Sequence, residues 1–323
     1  MQVIHDLNEL RKPAAACVLT IGNFDGVHVA HQELLRKVVA AAQVGNAIPT
    51  AVTFDPHPAK ILAPERAPQP LTSRPQKIEL IEKLGVERLV VLRFTEALSR
   101  LSPRDFVREI LVQQLRPRAI IVGPNFRFGH RQTGDARLLA ELGREDAFSV
   151  EVLPMITIRG QRVSSSHIRK LIAQGEVSIA GRMLGRPHSS TGPIVAGRGM
   201  GKKRTVPTLN LGLVNEQLPR VGVYVTRTRL GDNWFDSVTN VGFRPTFGGD
   251  RLTVESFLLN FEGEIQQADM TVEYLHRLRD EMKFPDSAAL KTQIQKDAQR
   301  ATRFFHVMRL VRQLAGTSLT STS

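Results

Sequence analysis

Two histidines three residues apart follow a sharp turn near the start of the chain, in the sequence GNFDGVHVAH at residues 22–31. Asp-Gly is a turn-forming pair, and side chains three apart on a helix lie on the same side of it. The first turn of a helix offers unpaired N–H groups and the positive end of the helix dipole, which favour an anion. We therefore interpret His28 and His31 as a phosphate-binding pair; a purely structural pair is the alternative.

The elements that would hold these histidines can be predicted from the flanking residues. An apolar run at residues 18–21 ends in glycine and predicts a buried strand. Leu34, Leu35 and Val38 recur at helical spacing, so we predict a helix that begins between His28 and Gln32. A strand, a turn and a helix then follow one another within a single short window. This context favours the phosphate-binding interpretation.

Two further polar loops follow predicted strands. Residues 50–54 form a predicted strand before Asp55-Pro56-His57-Pro58, and residues 119–122 form another before the loop at 123–130. Ligands of open α/β sheets bind at the carboxyl ends of the strands, so both loops are candidate site segments. An ordinary turn is the alternative for the first of them.

A serine run at residues 164–166 enters a predicted helix. Ser164 or Ser165 would cap this helix, and Arg169 would lie near its first turns. Taken alone, the segment favours an ordinary capped helix with a solvated arginine.

The order of predicted elements indicates two domains. Up to about residue 183, strands alternate with helices, which is the pattern of a parallel doubly wound sheet. Beyond it, short strands bounded by glycine predict a barrel or sandwich, and residues 287–314 predict a long helix. We predict domains at 1–183 and 184–316, followed by a disordered tail at 317–323.

Composition excludes several classes of protein. The net charge of +13 is spread over both halves and suits anionic substrates or nucleic acid, but 6% aromatic residues and no long basic block argue against nucleic acid. The single cysteine, Cys17, excludes an intrachain disulfide and is expected in the core. We find no signal-peptide pattern and no apolar run of membrane-spanning length, so we expect a cytoplasmic protein without membrane contact.

Together, these motifs resemble the prokaryotic bifunctional riboflavin kinase/FMN adenylyltransferase family, also called FAD synthetase, over nearly the whole chain. In the first half the matching segments are TIGNFDGVH at 20–28, His31-Gln32, TFDPHP at 53–58, NFRFG at 125–129 and SSSHIR at 164–169. In the second half they are Gly197, Gly201, PTLN at 207–210, GVY at 222–224, NVG at 240–242, RPTF at 244–247, Glu255 and LRDEMKF at 278–284.

The resemblance implies an α/β fold: a Rossmann-like nucleotidyltransferase domain of parallel strands and helices, then a small β-barrel riboflavin kinase domain with a terminal helix. It implies phosphorylation of riboflavin to FMN by ATP, and adenylylation of FMN by a second ATP to FAD with release of pyrophosphate. It also implies Mg²⁺ for both steps. Riboflavin, FMN and ATP are the expected small-molecule partners, with no nucleic acid; the oligomeric state is left open.

Site residues of the first domain are carried over from the matching motifs. By resemblance, the phosphates of ATP bind to Gly22, Phe24, Asp25, Gly26, His28, His31, Ser165, Ser166 and Arg169, with the two histidines acting in catalysis. Asn125 and Phe128 match positions that hold the flavin nucleotide, and Phe54 and His57 are expected in the same pocket.

Site residues of the second domain are carried over in the same way. Glu255 occupies the position of the catalytic base, although without the resemblance it would be an outward polar residue on a strand. Thr208 and Asn210 are expected to hold Mg²⁺ and phosphates, since oxygen ligands suit that ion. Gly197 and Gly201 are expected to give the phosphates of ATP room beside the backbone.

The chain departs from the family pattern at a few positions. Val29-Ala30 stands between the histidines where Arg-Gly or similar residues are usual, Arg204-Thr205-Val206 replaces a typical Leu-Gly-Phe, and Asn260 replaces an aspartate. We predict both activities. One alternative is an adenylyltransferase whose second domain is degenerate and only binds flavin, and another is a basic nucleic-acid-binding or regulatory protein on a nucleotidyltransferase fold.

Overall fold

The computed structural model describes residues 1–10, 15–195, 208–212, 216–246, 249–262 and 267–317. The chain divides into two units, Met1–His167 and Ile168–Ser323, and each is described by itself. Among the described residues no helix is long and apolar enough to cross a membrane. Of the predicted tail at 317–323, only Thr317 lies within the described residues, as the last residue of a helix.

The first unit is built on a six-stranded parallel sheet. Its strands are β1 Gln2–Ile4, β2 Cys17–Ile21, β3 Ile48–Asp55, β4 Arg88–Arg93, β5 Pro117–Val122 and, after two short strands β6 Arg127–Phe128 and β7 Gly134–Asp135, β8 Ser149–Val152. A short hairpin, β9 Thr157–Ile158 and β10 Gln161–Arg162, follows. The sheet order is β1-β4-β3-β2-β5-β8, so β2 lies between β3 and β5. The predicted doubly wound sheet is confirmed, with β1 as an edge strand that the sequence did not predict.

Helices cover both faces of this sheet. They are α1 Val29–Val44, α2 Pro58–Leu62, α3 Arg74–Glu82, α4 Glu96–Arg100, α5 Pro103–Asp105, α6 Ala136–Glu145 and α7 Ser165–Ala173, which crosses the division between the units. All five residues of β2 are buried, because one face of the strand packs in the core with Val52 and Val90 and the other with Ala51 and Leu89. Apolar strands buried on both faces are the expected signature of a covered parallel sheet. Cys17 is a core residue, as predicted.

One helical segment departs from α-helical geometry. Ser102 caps α5, but after α5 the chain continues as a π-helix, Phe106–Leu115. At its end the N–H of Arg116 donates to the carbonyl of Leu111, five residues earlier, at 3.1 Å. The wider turn keeps Phe106, Val107 and Leu111 in the core of the sheet.

The second unit is a closed antiparallel barrel with helices. After α8 Val177–Leu184, which the sequence did not predict, the strands are β11 His188–Val195, β12 Thr208–Leu211, β13 Gly222–Leu230, β14 Asn233–Thr246, β15 Gly249–Leu258 and β16 Asp269–Arg279. They close in the order β11-β12-β15-β14-β13-β16. The long helix α9 runs over Ser287–Thr317. The barrel alternative is therefore the correct one of the two that the sequence left open.

Strand alternation divides the barrel into an inner and an outer face. Tyr224, Val254 and Val272 pack inside, whereas Val225 and Val238 point outward and pack against α9. Part of the interior is polar, because five fully buried hydroxyls bond one another: Thr226, Thr228, Ser237, Thr239 and Ser256. Since their hydroxyls are paired, burying them carries little penalty. Successive residues of each strand therefore point alternately into and out of the barrel. Since Val254 and Ser256 point inward, Glu255 between them lies on the outer face.

Candidate active sites

The turn between β2 and α1 has a strained backbone that its neighbours hold in place. Phe24, Gly26 and Val27 all have positive φ, at 47°, 80° and 39°, and only Gly26 adopts such values without steric cost. The N–H of Leu71 donates to the Asp25 carboxylate at 2.9 Å, and the N–H of Gly26 donates to Thr72 Oγ1 at 3.3 Å. A non-glycine residue keeps a positive φ only where surrounding contacts fix the backbone. The hydrogen bonds of Asp25 and Gly26 fix it here.

The two histidines meet at the start of α1. His28 is the N-cap residue, and its Nδ1 accepts the N–H of His31 at 3.3 Å. Their rings stack with centroids 3.6 Å apart, and the edge of Phe24 contacts His31 at 5.3 Å. The predicted shared side is therefore confirmed. The backbone N–H of His31, one of the groups at the helix start that were expected to bind an anion, is instead bonded to His28.

The pKa of His31 is strongly perturbed. Burial lowers the pKa of His31 well below its usual range, and the charges of His28 and Lys77 act in the same direction. Its Nδ1 is buried and has no hydrogen-bond partner among the described residues. A neutral imidazole with an unpaired nitrogen is a group for which a polar ligand would supply the missing partner.

The loop that follows β3 lies beside this turn, because β3 is the neighbour of β2. His57 caps α2 through Nδ1, which accepts the N–H of Ala59 at 3.2 Å. The ring of Phe54 packs edge-on against Phe94 with centroids 5.7 Å apart. Arg74 pairs with Asp55 at 3.0 Å. Phe54 and His57 thus reach the same edge of the sheet as the histidine pair, and each also has a structural contact.

The loop that follows β5 lies on the other side of β2, and its two predicted site residues differ in exposure. Asn125 is exposed. Phe128 is buried, with its ring stacked on Phe126 at 5.3 Å and tilted against Phe106 at 6.1 Å. Asn125 is therefore open to a ligand, whereas the ring of Phe128 belongs to the core beneath the loop.

The start of α7 is tied to the same turn. Ser164 is the capping residue, since its Oγ accepts the N–H of His167 at 3.3 Å. Ser165 instead donates its hydroxyl to the carbonyl of Asp25 at 2.9 Å, across 140 positions of sequence. Ser166 is exposed, and Arg169 follows Ser165 by one helical turn on α7. The three serines therefore differ. Ser164 caps α7, Ser165 ties the start of α7 to the turn, and Ser166 has an exposed hydroxyl.

Lys77 is a residue of this region that the sequence analysis did not single out. It lies in the first turn of α3, and its ammonium donates to the carbonyl of Asn23 at 3.0 Å. Thr53 donates to the same carbonyl at 3.3 Å. A lysine on a surface helix ordinarily keeps its charged end in water, so no local pattern indicates that the Lys77 side chain points into the turn.

In the second unit, Glu255 lies on the outer face of the barrel between two amides. Strand register pairs it with Asn210 on β12 and with Asn240 on β14. Directly paired residues of antiparallel strands share a face and lie within about 5.5 Å of each other. Asn240 was not predicted as a site residue, although it belongs to one of the matching motifs.

Two of the four kinase-site residues predicted beside Glu255 can be described. Thr208 is exposed at the start of β12, and Asn210, two residues on, is on the same face. Asn210 is only 8% exposed, and its Oδ1 has no hydrogen-bond partner among the described residues. An orphaned amide oxygen next to a hydroxyl fits the oxygen ligands that Mg²⁺ prefers. Gly197 and Gly201 lie outside the described residues.

A second carboxylate reaches the face that bears Glu255. A Cβ at Gly242 would collide with Glu281 Oε1 and would lie 3.0 Å from Asn240 Nδ2, so Glu281 occupies the space above that glycine. Arg279 holds this segment by an ion pair with Asp297 of α9, in which Nη2 donates to Oδ2 at 2.7 Å and Nε donates to Oδ1 at 3.2 Å. Asp297 is 2% exposed, so the ion pair is shielded from water.

These features define the class of each unit. In the first, the histidine turn lies between β3 and β5 at the point where the sheet order reverses, which is where open α/β sheets bind ligands. It is a nucleotidyltransferase-like α/β domain. The second unit is a small closed barrel with its carboxylates on the outer face, covered by a long helix.

Comparison with known proteins gives the family. The FAD synthetase family matches residues 10–167, and the riboflavin kinase family matches residues 184–305. Proteins named bifunctional riboflavin kinase/FMN adenylyltransferase are similar over nearly their whole length. The relative from Pseudomonas fluorescens is 35% identical (93% of this chain, 97% of the relative), and the one from Escherichia coli K12 is 33% identical (94% and 96%). The chain belongs to the bifunctional riboflavin kinase/FMN adenylyltransferase family, and the resemblance and fold class inferred from its motifs are confirmed.

A solved structure is similar over most of this chain. It is a crystal structure titled as a macrolide-efflux protein from Streptococcus pneumoniae, with a TM-score of 0.84 and 27% sequence identity. The match covers 93% of this chain and 98% of that chain.

Proposed function

We propose that this chain converts riboflavin to FMN in its barrel domain and FMN to FAD in its α/β domain, with ATP as the second substrate of both reactions. The observation that carries the proposal is the stacked pair of His28 and His31 at the switch point of the sheet, in a chain with both family domains. We place the enzyme in the cytoplasm, where ATP is available and a free thiol such as Cys17 stays reduced.

Adenylyl transfer needs positioning more than proton transfer. A phosphate oxygen of FMN attacks the α-phosphorus of ATP, a new P–O bond forms, and the bond to the leaving pyrophosphate breaks. The protein must hold two anions in line and neutralise the charge that develops on the leaving group. Because His31 is neutral, it acts as a hydrogen-bonding group, and Arg169 supplies positive charge from α7.

The serines of α7 have separate roles in this proposal. Ser166 and Arg169 contact the phosphates of ATP. The hydroxyl hydrogen of Ser165 is already bonded to Asp25, so its role is to hold the start of α7 against the turn. Asn125, which is exposed, contacts the flavin nucleotide, whereas Phe128 supports the loop from beneath. Phe54, near the end of β3, and His57, in the loop that follows, line the pocket.

In the barrel, Glu255 accepts the proton of the riboflavin 5′-hydroxyl as that oxygen attacks the γ-phosphorus of ATP. The bond to ADP breaks, and ADP leaves. Thr208 and Asn210 would hold Mg²⁺, which neutralises phosphate charge when bound; the unpaired Oδ1 of Asn210 supports this assignment. Gly197 and Gly201 give the phosphates room beside the backbone.

Chromatography of the flavins formed from riboflavin, ATP and Mg²⁺ tests the two-site assignment. The wild type should form FMN and then FAD. His28→Ala should form FMN but lose FAD formation by about 100-fold or more, since phosphate positioning is lost. Glu255→Gln should form no FMN yet still convert supplied FMN to FAD.

Two matched variants serve as controls, His306→Ala and Glu262→Gln, because both residues are exposed and outside the proposed sites. They should retain both activities. FAD formation at the wild-type rate by His28→Ala would overturn the assignment of the first site. A wild type that forms FAD from FMN but never forms FMN would support the single-activity alternative.

A further inference from the structure

Lys77 places a positive charge inside the phosphate-binding turn. Its side chain crosses from α3 to the carbonyl of Asn23, where the ammonium donates one hydrogen bond of 3.0 Å. An ammonium has three donors, so one bond leaves capacity for another acceptor. The residue is half-buried, and burial lowers the pKa of Lys77 although Asp25 and Asp55 oppose that shift.

The ammonium of Lys77 is in no direct ion pair within the described ranges of the chain, since none of its contacts with a carboxylate there is as short as 4.0 Å. The charges of Asp25 and Asp55 favour the charged form of Lys77; Asp25 also accepts the N–H of Leu71 at 2.9 Å, and Asp55 pairs with Arg74 at 3.0 Å. A partly desolvated ammonium that lacks a direct ion pair would be stabilised by contact with an anionic ligand.

His31 does not supply positive charge here, because burial lowers its pKa well below the usual range. The Lys77 ammonium bonds the carbonyl of Asn23, which is next in sequence to Phe24, and the ring of Phe24 contacts His31 at 5.3 Å. The turn therefore combines a hydrogen-bonding imidazole at His31 with a positive charge at Lys77. A leaving pyrophosphate gains negative charge as its bond to the α-phosphorus breaks, and a fixed cation there would stabilise it.

We propose that Lys77 is a further phosphate-binding residue of the adenylyl-transfer site, with its ammonium bound to the pyrophosphate portion of ATP. This inference rests on the function proposed above. Lys77 transfers no proton, and the bonds that form and break are those already given. The alternative is a structural role, in which Lys77 only holds the turn through the Asn23 carbonyl.

Inhibition of FAD formation by two product fragments separates these roles. The full-length enzyme is given FMN, ATP and a fixed Mg²⁺ concentration, and Ki is measured for pyrophosphate and for adenosine. Lys77→Met removes charge and hydrogen bond, Lys77→Gln keeps an N–H donor without charge, and Lys77→Arg keeps the charge. Lys83→Gln is the matched control, because Lys83 follows the same helix but is exposed and paired with Glu79.

If Lys77 binds pyrophosphate, Lys77→Met and Lys77→Gln should raise Ki for pyrophosphate by about tenfold or more, the usual effect of losing a charged hydrogen bond. Ki for adenosine should change less than about twofold, and Lys77→Arg should retain most of the affinity for pyrophosphate. FMN formation from riboflavin should be unchanged in every variant, which reports that the protein is folded.

Equal increases in both Ki values, or an unchanged Ki for pyrophosphate in Lys77→Gln, would overturn this inference and leave the proposed function intact. A wild type that makes no FAD from FMN and ATP would instead overturn the proposed function. Should Lys77→Met fail to fold, the comparison of Lys77→Gln with Lys77→Arg decides the question, because that pair differs in charge while both keep an N–H donor.

Discussion

His28 and His31 have the same side chain and different chemistry. The Nδ1 of His28 caps α1 by accepting the N–H of His31, which fixes the orientation of the His28 ring and leaves Nε2 as the nitrogen that can contact a ligand. His31 stacks on it with an unpaired buried Nδ1. The ring of His28 is therefore positioned by a backbone hydrogen bond, and the ring of His31 by stacking on His28. Replacing either one disturbs the other, so their effects on FAD formation should not be additive.

His188 makes the barrel sensitive to acid. It is 1% exposed, its Nε2 donates to the carbonyl of Gln217 at 2.7 Å, and burial lowers the pKa of His188 to about 4. Because the unfolded chain binds a proton at His188 below about pH 6.5 and the folded chain does not, stability is full above 6.5 and falls towards pH 4. The loss is about 3 kcal/mol over this range.

Urea unfolding between pH 4 and 7 measures the contribution of His188 to the free energy of unfolding. Trp234 is the single tryptophan and lies in the barrel, so its fluorescence reports that domain. His188→Gln should unfold with a flatter pH dependence than the wild type, since the remaining carboxylates titrate in both proteins. Parallel pH profiles for the two proteins would contradict the prediction.

At the scale of elements, the outer face of the barrel depends on strand register. Register brings Asn210, Glu255 and Asn240 into one row across β12, β15 and β14. The segment after β16 adds Glu281, which α9 holds in place through the pair between Arg279 and Asp297. A helix far along the chain thus positions a carboxylate next to the proposed base.

Gly242→Ala tests whether the position of Glu281 matters. The added methyl group would occupy the space of Glu281 Oε1, and a flexible side chain can move away at small cost to stability. We expect FMN formation to fall by about tenfold or more while the urea midpoint stays close to that of the wild type. FAD formation from supplied FMN should be unaffected.

Glu281→Gln serves as the comparison for that variant. If displacement of the carboxylate causes the loss, the two substitutions should reduce FMN formation to a similar extent. Full kinase activity in both variants would exclude Glu281 from the reaction.

At the scale of the whole molecule, each unit has its own core and its own candidate site. The parallel sheet is buried between its helices, and the barrel packs against α9 with separate apolar contacts. The histidine pair lies within the first unit and the row around Glu255 within the second, although Arg169, assigned above to the first site, follows the division inside α7. FMN made in one chain should therefore serve as substrate for another.

Mixing two inactive variants measures this independence. His28→Ala retains the kinase site and Glu255→Gln retains the adenylyl-transfer site, so the mixture should convert riboflavin to FAD although neither variant does so alone. The rate should rise with protein concentration, because FMN must diffuse between molecules. If each variant keeps its single activity but the mixture forms no FAD, FMN must pass within one chain.

The sequence by itself determined the local features of this protein. Residues 22–31 predict the turn, the helix start and the shared side of the histidines, because neighbouring residues fix turns and helical periodicity. The same logic gave the alternation of strands and helices, the change of character near residue 183 and the cap at Ser164 or Ser165. The motifs supplied the family, which the comparisons confirmed.

Tertiary structure decided which side chains meet across long separations. Lys77 reaches Asn23 over 54 positions, and Ser165 bonds Asp25 over 140, so neither contact follows from local pattern. The row around Glu255 depends on register, where a slip of one residue would turn the side chain to the other face. Phe128 is buried because the loop folds back onto Phe106, which no periodicity could indicate. Packing, rather than propensity, decides these contacts, since each requires elements distant in sequence to be placed first.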